Sequence, residues 1–162
     1  MLTLTTISGL PAHVLLVHAL VVLAPLTALL EMLCAVWPAA RRRLVWLVLA
    51  FAAVTTALTP ITTNAGEWLY DRERHHLDIL NTHADRGGWM IYFSVAMLVV
   101  AVVLALVHWR ESRSTKPRMT SHVVVAILTI AVGVASIVQV VRIGDSGARS
   151  VWANELTKSD KP

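Results

Sequence analysis

Leu10-Pro-Ala-His-Val-Leu-Leu-Val-His18 opens the first long apolar run of the chain and sets two imidazoles at the mouth of a membrane helix. Ionisable side chains are rare in apolar spans because each costs roughly 2 to 3 kcal/mol or more at the bilayer centre, so each marks a functional hypothesis by default. His13 and His18 sit near the end of the run, where that cost is smaller. On one helix, five residues separate them by about 7.5 Å along the axis and about 140° around it. They are therefore not the i, i+4 pair that chelates one metal from a single helix, and a shared ligand needs another element. Two readings stay open: an interfacial His13 with His18 bonded to a neighbouring helix, or both imidazoles engaged in ligand or proton chemistry.

The chain is 162 residues long, 56% hydrophobic and only 15% charged, with a mean hydropathy of +0.65. Soluble domains are far more polar, so the class is integral membrane protein. Cys34 is the single cysteine and lies inside an apolar run, which excludes a disulfide framework and a CxxC redox pair. A net charge of +4 raises nucleic acid as a partner. The basic residues flank apolar spans instead of forming a stripe with interleaved aromatics, so they read as topology signals and nucleic acid is excluded. Residues 1–9 carry no Lys or Arg, so the first span is expected to stay in the mature protein.

Spans of roughly 20 apolar residues match a bilayer core of about 30 Å. Four can be read, at about Ala12–Trp37, Leu44–Thr62, Trp89–Trp109 and His122–Ile143. The expected fold is all-α: four transmembrane helices in one bundle covering residues 1–152, followed by a mobile polar tail at 153–162. Arg41, Arg42 and Arg43 form the first connection, and Arg110, Arg113, Lys116 and Arg118 the third, with Glu111 their only acid. By the positive-inside rule these are cytoplasmic, leaving both termini and the middle loop outside the plasma membrane. The tryptophans fall at span ends, as an aromatic belt requires.

Inside the spans, Thr55, Thr59 and Thr62 share one face of the second helix. Thr129, Gly133, Ser136 and Gln139 form a small and polar stripe on the fourth. Both mark bundle-facing sides. Glu31 lies five turns from His13 on the same face, about 27 Å away. Its expected partners are Arg41 to Arg43 or water, with a proton path to His13 as the alternative. The middle loop, residues 63–88, reads as an amphipathic extracytoplasmic surface helix. Asn64 and Glu67 fit a capping box, Gly87 fits a C-terminal stop, and Leu69, His76, Leu80 and His83 fall near one face.

Gly144-Asp-Ser-Gly147 matches the nucleophile loop of chymotrypsin-like proteases only superficially. That serine works inside a β-barrel beside a placed histidine and aspartate, and this chain has no barrel. The glycines are expected to end a helix and to let backbone approach the outer mouth.

Taken together, Leu10-Pro-Ala-His13 with His18 and Pro25, Thr63-Asn-Ala-Gly-Glu67, the His83 loop and Gly144-Asp-Ser-Gly-Ala148 resemble a known family. It is the group of small four-span bacterial membrane proteins catalogued as domain of unknown function 2231, in particular its actinobacterial members. The similarity covers roughly Gly9 to Trp152 and implies fold and topology, with no established activity. Members often have a histidine in the final Gly-x-Ser-Gly motif, where this chain has Asp145.

The candidate site is an outward-facing polar cluster of His13, His18, Glu67, His83 and Asp145. His13, His18 and His83 are the candidate cofactor ligands, for haem b held axially. His18, His83, Glu67 and Asp145 are the candidate ligands of a divalent metal. No CxxCH, HExxH or HxxxH spacing supports either. The other class, preferred on the residues alone, is a non-catalytic bundle that supports or regulates another membrane component. Its partners would be the lipid bilayer and a membrane protein or a second copy, with the histidines as hydrogen-bonding core or pH-sensitive contact. Covalent catalysis is the weakest option, since no nucleophile has an evident base beside it.

Overall fold

The computed structural model describes residues 6–7, 10–72, 78–113 and 119–159. A short antiparallel pair, β1 (Thr6–Ile7) with β2 (Leu10–Pro11), leads into α1 (Ala12–Val36). The other helices are α2 (Pro38–Tyr70), α3 (Asp78–Gly88), α4 (Met90–Glu111) and α5 (Met119–Ser159). Among the described residues, four stretches are long and apolar enough to cross a membrane: Ala12–Val36, Pro38–Tyr70, Asp78–Glu111 and His122–Trp152. The all-α, four-span architecture read from the sequence is therefore the observed one.

α1 packs against α2 and α5, and α4 packs against the same two, so the helices run round the bundle as α1, α2, α4, α5. Small residues make the close contacts. Ala52, Ala101 and Ala105 pack with Cys34, Val48 and Leu104 toward one end. Ala24 and Ala28 pack with Met90, Met97 and Val140 toward the other. Lipid tails are as apolar as leucine, so such close approach, not exclusion of apolar surface from water, is what holds membrane helices together. Large side chains such as Val22, Val99 and Ile127 point outward. Thr55, Thr59 and Thr62 are buried as expected, and each hydroxyl donates to the carbonyl four residues earlier on its own helix.

Four local expectations are corrected. Arg41 to Arg43 are not a loop: Trp37 alone separates α1 from α2, and the arginines lie in the early turns of α2. Pro38 explains the tight junction, since a proline at the first helical position has a preset φ and no N–H to leave unpaired. Arg41 is 1% exposed. Its Nε and Nη2 donate to Glu111 Oε2 and Oε1 at 3.2 and 2.6 Å, and its Nη1 donates to the Cys34 carbonyl at 3.1 Å. His122 Nε2 stands 3.3 Å from the same Glu111 Oε1. One cluster thus joins α1, α2, α4 and α5. Glu31, expected to reach the arginines or water, is wholly buried and neither of its oxygens meets a donor. Arg41 is already committed to Glu111.

The middle segment is not one helix capped at Asn64. α2 runs straight through Asn64 and Glu67 to Tyr70, and a separate α3 begins at Asp78. The cap signal loses because Ala65 and Gly66 are packed into the bundle, which keeps this turn helical. α3 rests on α5, where Gln139 Nε2 donates to the Arg86 carbonyl at 2.8 Å and Arg86 Nη1 to the Arg142 carbonyl at 3.0 Å. Tyr70 Oη donates to Asn81 Oδ1 at 2.6 Å, tying α2 to α3. The expected placement of His76 lies outside the described residues. Gly144 and Gly147 do not end a helix either. α5 continues to Ser159, so most of the expected tail is helical.

Removing Glu111 leaves a buried guanidinium unpaired, whereas removing Arg41 leaves a carboxylate that is 30% exposed and still beside His122. Glu111→Ala is expected to destabilise the bundle by about 3 to 5 kcal/mol. Arg41→Met should cost about 2 kcal/mol or less, and Arg41→Met with Glu111→Leu should recover most of the loss. Unfolding of the three variants in detergent micelles measures this; equal losses for both single variants would contradict it.

Candidate functional site

At the other end of the bundle two imidazoles are seated in the same way on two different helices. His13, in the first turn of α1, donates from Nδ1 to the Thr62 carbonyl of α2 at 2.9 Å. His83, in the middle of α3, donates from Nδ1 to the Ile143 carbonyl of α5 at 3.1 Å, with Ser146 Oγ at 3.4 Å. Beneath each ring is a glycine four residues after the accepting carbonyl. A Cβ on Gly66 would stand 2.8 Å from His13 Nδ1, and one on Gly147 would stand 2.9 Å from His83 Cε1. The pair α1–α2 and the pair α3–α5 therefore repeat one device: a histidine of the earlier helix fitted over a glycine of the later one.

The two devices meet. The rings of His13 and His83 are 6.3 Å apart between centroids and nearly perpendicular, at 84°. A carbonyl oxygen can only accept, so in both rings Nδ1 carries a hydrogen, and in the neutral ring Nε2 then carries the lone pair. Both rings line a cavity of about 70 Å³, with Val17, Leu20, Thr59 and Val140 among the other walls. That is room for a few waters or one ion, well below the roughly 300 to 1,000 Å³ of pockets for drug-sized ligands.

The remaining candidates stand elsewhere. His18 is exposed and its Nδ1 bonds to the Val14 carbonyl one turn back on α1, pointing away from the cavity. The 140° offset from His13 is the cause: one of the two must leave the bundle. Glu67 is exposed on α2. Asp145 is exposed and accepts from Arg149 Nε at 3.0 Å. Ser146 is fully buried and shares its hydroxyl between the Arg142 and Ile143 carbonyls. With His83 Nδ1 committed to Ile143, that imidazole is no base for Ser146, and a serine nucleophile is excluded on geometry as it was on fold. Among the described residues, no three of His, Cys, Asp and Glu stand together as a metal cluster would.

Two residue types in the site were not foreseen in their roles: Gly66 and Gly147 as seats for rings. The available signal was a glycine in each of two long helices, at the same end of the bundle as a histidine. Their role gives a sharp contrast. Nothing lies within 4 Å of a Cβ on Gly144, one turn before Gly147. Gly144→Ala is therefore expected to be neutral or stabilising by about 0.5 to 1 kcal/mol. Gly66→Ala and Gly147→Ala should overpack their imidazoles and lose about 1 to 3 kcal/mol. Detergent unfolding of the three alanine variants checks the order, and a destabilised Gly144→Ala beside an unaffected Gly147→Ala would refute the seating.

No curated protein and no solved structure matches this chain. Residues 9–160, which contain the four candidate membrane spans, the imidazole pair and the arginine cluster, match the family of predicted membrane proteins DUF2231, and the chain belongs to that family.

Proposed function

We propose that this protein is a non-enzymatic membrane bundle that binds a small ligand between the Nε2 atoms of His13 and His83, and that it acts by supporting another membrane component. The observation that carries the reading is the commitment of both Nδ1–H groups to backbone carbonyls. Ligand-holding histidines are oriented in this manner, the second ring nitrogen donating to a carbonyl so that the first keeps a basic, aimed lone pair. A cavity near 70 Å³ favours a single ion over haem. His18, Glu67 and Asp145 stay outside this ligand set.

We place the histidine end on the outer face of the plasma membrane. The support is the seven Lys and Arg residues that the sequence sets around the α1–α2 junction and between Arg110 and Arg118, after the first and third spans. In a Cys34→Ala background, Arg42→Cys and Arg113→Cys should resist a membrane-impermeant thiol reagent added to intact cells. Labelling of both from outside would invert the topology.

The tautomers are the direct test of the site. Nitrogen NMR of imidazole-labelled protein should find two neutral rings protonated at Nδ1, the minor form of free histidine in water, and both signals should vanish in His13→Gln/His83→Gln. Rings protonated at Nε2 would have no lone pair to offer a ligand, and the reading would fail.

A further inference from the structure

We infer that the ligand between His13 and His83 is a single monovalent copper ion, an inference that rests on the two-imidazole reading above. The donor set comes first. Each ring offers one neutral nitrogen, and among the described residues no carboxylate, thiol or third imidazole joins them. Imidazole suits copper and zinc, whereas alkali and alkaline-earth ions take oxygen donors. Zinc in protein sites is almost always four-coordinate. A d¹⁰ cuprous ion is satisfied by two collinear nitrogen donors.

Charge points the same way. The cavity walls are almost wholly apolar and supply no anion. The electrostatic cost of placing an ion in a low-dielectric site grows with the square of its charge, so a monovalent ion costs about a quarter of what a divalent ion of the same size does. The spacing is compatible. Two imidazoles binding one ion from opposite sides, each at a metal–nitrogen distance of about 2.0 Å, have centroids on the order of 6 Å apart. The observed separation is 6.3 Å, and the perpendicular rings cost nothing in such a complex, because a linear N–Cu–N unit leaves each ring free to turn about its axis.

The test uses the full-length protein in detergent, titrated without oxygen with Cu(I) in ascorbate against the chelator bicinchoninate, and separately with Zn(II). The expected result is one Cu(I) withdrawn per chain, with X-ray absorption showing two nitrogen donors. His13→Gln and His83→Gln, whose amides can still donate to the Thr62 and Ile143 carbonyls, should each lose the stoichiometric binding, while His18→Ala and His122→Ala should keep it. Circular dichroism confirms that the glutamine variants remain folded. Cu(I) held equally well by the double glutamine variant overturns the assignment. So does stoichiometric Zn(II) with no Cu(I), or no metal bound at all. If the nitrogen spectra still show two Nδ1-protonated rings in those cases, the two-imidazole site survives and only its ion is wrong.

Discussion

A guanidinium cannot be left bare inside a helix bundle, and Arg41 is buried in this one. Its planar fork is filled by two oxygens of Glu111 from α4 and by the Cys34 carbonyl near the end of α1, while His122 of α5 approaches the same carboxylate. Bidentate pairing of this kind fixes direction as well as distance. The cluster can form only when all four membrane helices are in register at that end. Hydrophobic contact between membrane helices is nearly indifferent to sliding, because lipid offers each face an equivalent surface. The charge pair supplies the register that the apolar faces lack.

The opposite end is tied differently. His13 and His83 make neutral hydrogen bonds, worth roughly 0.5 to 1.5 kcal/mol each, and each bond closes a hairpin on itself instead of joining hairpins. Between the hairpins at this end stand the two perpendicular rings, the Tyr70 contact with Asn81 and the packing of Ala24 and Ala28 against Met90, Met97 and Val140. The bundle is thus joined through a charge cluster at the arginine end and through neutral contacts at the histidine end, where the cavity lies.

How much of this was legible follows from which features are one-dimensional. Span number and the end at which each loop falls depend only on hydropathy and length, so four helices and the placing of His13 and His83 at one end could be read from the chain. Even the fate of His18 was implicit in its 140° offset from His13. Facing across helices was not legible. Arg41 to Arg43 look alike in sequence, and only packing decides that Arg41 turns inward to Glu111 while Arg42 and Arg43 stay exposed. The Asn64–Glu67 cap and the glycines near 144 gave local stop signals that tertiary contact overrode, because a glycine under an imidazole is worth more to the fold than the helix end it would otherwise permit. The internal repeat was invisible for the same reason: its matched residues are one histidine and one glycine per half.

That asymmetry bears on what a ligand at the cavity would do. His13 belongs to the first hairpin and His83 to the second, so anything held by both Nε2 atoms becomes a further link between the two halves. Each ring is already fixed by its own carbonyl and glycine, so little further ordering is needed when the ligand arrives. A ligand present at 100 times its dissociation constant, and bound only by the folded bundle, stabilises it by about 2.7 kcal/mol. That exceeds the worth of either histidine hydrogen bond. Because the arginine end is pinned in any case, the stabilisation is expressed where the hairpins can separate, at the histidine end. Occupancy of the site would therefore set how tightly the two hairpins close at that end.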